Sequence, residues 1–141
     1  MIIKKLLEDK ILFLLLIGLT CGLTWASLAK IANPIQVDFD GGDKIAHFIA
    51  YFVFAIGWFL PLFFSKKWNK SLNTSMFITA AICISYGVLM EILQLVLTAY
   101  RSFDWYDAVA NTCGTIFALL IFSVFRSKVI KLKETIGKSV G

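Results

Sequence analysis

An aspartate, a histidine and a tyrosine stand four residues apart in D-K-I-A-H-F-I-A-Y, residues 43–51. On an α-helix, side chains at i and i+4 lie over one another, so Asp43, His47 and Tyr51 form one polar row. Histidine moves protons near neutral pH, and a carboxylate beside it can orient or charge the ring. A second candidate, Glu91, sits in M-E-I-L-Q-L-V-L with apolar residues around it. A charge at the centre of a membrane costs ~2.5–3.5 kcal/mol on insertion scales. Such a residue must face its own protein and find a partner, or be protonated, and His47 and Arg101 are the candidate partners. His47 and Glu91 are thus the candidate catalytic groups. Arg101 is the only basic residue in its segment, A-Y-R-S-F-D-W, and suits either an anion clamp or a salt bridge.

These residues need elements to carry them. The chain has 141 residues, 59% hydrophobic and 16% charged, with a mean hydropathy of +0.81. A soluble domain of one-domain length is far more polar. The apolar residues form runs near the ~20 residues needed to span ~30 Å of hydrocarbon. Lipid offers the backbone no hydrogen bonds, so the runs must be helices. They predict an all-α, four-transmembrane-helix bundle in a single domain, 1–141, with helices at about 11–30, 44–64, 76–98 and 106–125.

Eleven of the 14 lysines and arginines cluster beside these runs, at residues 4–10, 66–70 and 126–138. An even number of spans puts all three clusters on one side. The positive-inside rule makes that side cytoplasmic, together with both termini. The net charge of +5 therefore points to membrane lipids, not nucleic acid, and the basic tail 126–141 reads as a surface helix or a frayed end near anionic lipid. The opposite side holds Asp38, Asp40, Asp43, Arg101 and Asp104. Cys21, Cys83 and Cys113 read as small buried residues, with no disulfide or zinc spacing. Gly18, Gly22 and Ala26, like Ala110, Gly114 and Ala118, read as stripes for close helix contact. Oligomerisation is left open.

Depth brings the polar residues together. At ~1.5 Å per residue, His47, Gln94 and Asn111 lie roughly 5–6 Å below the outer boundary. Tyr51, Glu91 and Gly114 lie roughly 10 Å below it by the same rise. Glu91 and Gln94 share a helix face with Thr98; Asp107 and Asn111 share one with Gly114. The candidate binding set is therefore Asp43, His47, Tyr51, Glu91, Gln94, Arg101, Asp104, Asp107 and Asn111. Position alone makes Asp107 a cap of the fourth helix and gives Asp104 a capping role at its first turn. Lys44 reads as a lysine snorkelling to the interface. A single histidine excludes a multi-histidine metal centre, although His47, Glu91 and Asp43 could form an oxygen-rich group. No metal or cofactor is assigned.

The motifs D-K-x-x-H-x-x-x-Y (43–51), E-x-x-Q (91–94) and R-x-x-D-x-x-D-x-x-x-N-x-x-G (101–114) resemble those of the VanZ-like family of small bacterial membrane proteins. Tyr100 and Ala118 stand where that family often has glycine. The resemblance implies a cell-envelope protein, with a link to the glycopeptide teicoplanin through the founding member. The expected function is an outward-facing pocket that binds or modifies an envelope component, such as a lipid-linked phosphate or glycan or a glycopeptide-related ligand. The alternatives are a membrane enzyme using Glu91 or His47 as acid–base, a small proton-coupled transporter, and a purely structural protein.

Overall fold

The computed structural model describes residues 8–28, 41–97 and 104–138. These form five helices: α1 (Asp9–Leu28), α2 (Gly42–Phe64), α3 (Leu72–Leu97), α4 (Trp105–Val124) and α5 (Arg126–Lys138). The first four are long and apolar enough to cross a membrane.

Helices α2 and α4 make the tightest contact in the fold, and Gly114 is the reason. A Cβ at that position would lie 2.2 Å from the Phe48 carbonyl oxygen and 3.0 Å from its carbon. Only a glycine lets the α4 backbone approach α2 so closely. Phe117 then packs beside Phe48 and Phe52, each at 5.8 Å between ring centres, and Ala55 and Ala118 are buried. Lipid tails are as apolar as leucine, so this shape fit, not water exclusion, holds the helices together.

Helix α1 packs differently from its expected small-residue stripe. Leu12, Leu16, Leu19 and Leu23, spaced by four, three and four residues, face the bundle; the first two are buried and the others pack against the central core. Leu19 fills the notch left by Gly57, where a Cβ would come within 2.5 Å of Leu19 Cδ1. Gly18 and Gly22 have nothing within 4 Å of an added Cβ. The larger side chains give more contact, so the small face turns outward. Cys21 and Cys113 are also on outward faces, and only Cys83 is buried as expected.

The expected basic tail is a helix. Its Val129 and Ile130 pack against Phe59, Phe63, Leu72 and Leu119, and Lys133 donates to the Lys70 carbonyl (2.9 Å) while lying 4.3 Å from the centre of the Phe63 ring. Burial there pushes the Lys133 ammonium below its usual pKa. Arg126 donates to Asn73 Oδ1 (3.0 Å), and the Lys66 N–H donates to Asp9 Oδ1 (3.0 Å). The 65–71 connection, the start of α1 and α5 therefore meet at one end, the basic end.

Ser65 organises the connection there. It is fully buried, and its Oγ accepts from the N–H groups of Lys67 (3.1 Å) and Trp68 (3.3 Å). A Ser65→Ala chain leaves both donors short of a partner. It should melt lower in detergent by about 1–2 kcal/mol of stability; unchanged melting would show that the hydroxyl is dispensable.

Candidate functional site

The site lies at the other end, where α2 and α4 begin. Gly41 caps α2 with φ of 98°, a left-handed conformation that favours glycine. Asp43 and Lys44 follow in the first helical turn. Asp104 caps α4, its Oδ1 accepting the Tyr106 N–H at 2.8 Å. Asp107 sits one turn further in and is nearly buried. Asp104 thus has the capping role read for it from the sequence, whereas Asp107, also read as a cap, lies within the first helical turn and faces α2.

Lys44 joins the two helix starts. Its Nζ lies 2.6 Å from Asp43, 2.7 Å from Asp104 and 3.0 Å from Asp107 Oδ1. The expected snorkelling lysine is instead the hub of three carboxylates, because their charge draws the ammonium inward more strongly than bulk water draws it out. The Lys44 ammonium beside Asp104, helped by the Tyr106 N–H, holds that carboxyl below its usual range.

One turn deeper, His47 faces α4. Its Nδ1 is 3.0 Å from Asn111 Oδ1, and its Nε2 is 3.4 Å from Asp107 Oδ2. With the carboxamide oxygen facing it, Nδ1 carries the proton, so a neutral ring turns its Nε2 lone pair toward Asp107. Glu91, from α3, is 1% exposed and offers a carboxylate oxygen to the same place. One atom each from His47, Glu91 and Asp107 lie within 4.8 Å of one another. Asp43, named in the sequence reading beside His47 and Glu91, belongs to the outer carboxylate group around Lys44.

Below this layer Gly87 separates Tyr51 from Asn111. A Cβ there would be 3.2 Å from Tyr51 Cε1 and 3.3 Å from Asn111 Cβ. Tyr51 and Asn111 are each 1% exposed, and neither the Tyr51 hydroxyl nor Asn111 Nδ2 has a hydrogen-bond partner among the described residues. The row Asp43–His47–Tyr51 is therefore a gradient, from an exposed acid through a half-buried imidazole to a buried phenol. Gln94 is buried, and its Nε2 donates to the Ser27 carbonyl at 2.7 Å, which ties α3 to the last turn of α1. Arg101 and Thr98 lie outside the described residues.

Three helices thus bring an oriented imidazole, a buried glutamate and two tiers of carboxylates to one end of an apolar bundle. This arrangement defines a small multi-pass membrane protein with a polar site set between its helices. The chain belongs to the VanZ/LLP1 family, whose model matches residues 9–126, a range holding all four long helices and every candidate site residue. It is also similar to an uncharacterized protein of the fission yeast Schizosaccharomyces pombe, with 32% identity over 98 residues. That alignment covers 69% of this chain and 54% of the yeast protein, so the chain spans about half the length of the curated relative it matches. No solved structure matches it.

Proposed function

We propose that this chain is a single-domain protein of the bacterial inner or plasma membrane, with both termini cytoplasmic, whose polar site opens on the extracytoplasmic side and binds or modifies an envelope component. The observation that carries this reading is the segregation of charge along the bundle. The lysines of the 65–71 connection and of α5 gather at one end, and Asp43, Asp104, Asp107 and His47 gather at the other. Basic residues mark the cytoplasmic face, so the acidic end is outermost. A site just below the outer headgroups suits a ligand carried in that leaflet, such as a lipid-linked phosphate or glycan, with Arg101 on its anionic group. The link to glycopeptide susceptibility rests on the family name and belongs to the same proposal.

A photoactivatable polyprenyl phosphate tests the reading in lipid nanodiscs. Wild-type protein should be labelled about tenfold more than Arg101→Ala or His47→Ala, the loss expected for one charge-assisted contact. Unlabelled polyprenyl phosphate should compete, and phosphatidylglycerol should not. Equal labelling of all three proteins refutes the proposal. The Asn111-oriented imidazole beside a buried acid also favours a second reading, acid–base catalysis on that ligand. There Glu91→Gln would keep labelling and lose turnover.

A further inference from the structure

Asp107 and a neutral His47 ring set two acceptors against each other. With Asn111 Oδ1 accepting from Nδ1–H of His47, a neutral ring aims its Nε2 lone pair at Asp107 Oδ2, 3.4 Å away. Both atoms are acceptors. The buried carboxylate of Glu91 adds a third acceptor within 4.8 Å. Asp43, Asp104 and Asp107 surround this end with carboxylates that meet the Lys44 ammonium, and Glu91 lies buried among the helices. Lys44 touches Asp107 on Oδ1 and leaves Oδ2 to the inner group.

We propose that His47 Nε2, Asp107 Oδ2 and a Glu91 carboxylate oxygen hold one first-row divalent transition-metal ion, of the zinc or manganese kind. Bonds of about 2.0–2.2 Å put neighbouring ligand atoms roughly 3–3.6 Å apart, and the His47–Asp107 pair already has that spacing. One imidazole and two carboxylates suit zinc, manganese or iron better than magnesium or calcium, which take oxygen alone. Asn111 has the part that outer partners play at metal-bound histidines: it fixes the tautomer and the ring plane. It is a positioning residue, not a ligand. Three protein ligands leave a coordination position open, where a water or a phosphate oxygen can bind. The ion would also add positive charge for an anionic ligand at this end, where Lys44 is already engaged by three carboxylates. The ion site stands or falls on metal retention, whatever the envelope ligand is.

The chain has one histidine, so the test uses protein with no oligohistidine tag. Purified protein in nanodiscs is stripped with chelator, loaded separately with Zn2+ or Mn2+, desalted and assayed for bound metal. Wild type should retain one equivalent of at least one of these ions and melt higher when loaded. His47→Ala, Glu91→Gln and Asp107→Asn should each lose the retained ion and the melting shift. Asp43→Asn, which alters the outer group, should keep both. Asn111→Ala should weaken affinity by about 10–100-fold. Wild type that retains neither ion, or His47→Ala that retains as much as wild type, overturns the site. Where a ligand variant fails to fold, pulsed EPR on Cu2+-loaded wild type decides: coupling to one imidazole nitrogen supports the site, and its absence overturns it. Metal loss with intact polyprenyl-phosphate labelling removes the ion and leaves the ligand proposal standing.

Discussion

A Gly114→Val chain is expected to lose its native packing in mild detergent, and Gly114→Ala to melt well below wild type. Even the alanine Cβ would sit 2.2 Å from the Phe48 carbonyl oxygen. That neighbour is backbone, so no rotamer change relieves the clash; α4 must move away from α2. Overpacking costs about 1–3 kcal/mol where side chains can adjust, and this site belongs at or above the top of that range. The displacement also lengthens the 3.0 Å His47–Asn111 contact, so function should fall with stability. Gly18→Ala is the matched control, since its Cβ would meet open space and alanine favours the helix. Melting curves of the two variants should differ sharply. Similar curves would show that α2 and α4 do not approach as described.

Lys44→Met is the second large effect expected. Methionine keeps the length and apolar stem but leaves Asp43, Asp104 and Asp107 facing one another without a counter-ion. Breaking a buried pair by removing one partner costs several kcal/mol. Lys44 is 32% exposed, so solvent screening reduces this to on the order of 1–3 kcal/mol. The pH dependence has a defined sign. Asp104 titrates below its unfolded value, so its contribution is present above the ordinary carboxylate pKa and is lost as pH falls through the lowered one. The stability gap between wild type and Lys44→Met should therefore be widest near neutral pH and close on acidification. A gap that is constant with pH would mean that the ammonium does not hold these acids.

The four long helices were legible because lipid leaves an apolar run of ~20 residues one regular conformation. Their ends were less so. Helix α3 starts at Leu72, not near residue 76, because Ser71 Oγ accepts the Thr74 N–H at 3.2 Å; a polar first turn looks like loop until its cap is seen. The stripe Asp107–Asn111–Gly114 does share one buried face, since helical period is local information. Partnership is not local. His47 and Asn111 are 64 residues apart, and Gln94 reaches the Ser27 carbonyl in the last turn of α1. Nothing along α3 encodes the height of α1. Asp104 kept the capping role read for it, and Asp107 did not, because α4 begins at Trp105, three residues earlier than a cap at Asp107 would require.

Helix α1 is pinned at both extremities: the Asp9 side chain takes the Lys66 N–H, and the Ser27 carbonyl takes the Gln94 amide. The pins are 18 positions apart, a rise of about 27 Å. The helix thus behaves as a strut of set length. Exchanging one leucine for another bulky aliphatic leaves the strut whole, whereas an added or deleted residue turns one half by about 100° against the other and unseats a pin. Evolution can repaint α1 freely but cannot easily cut it to a new measure.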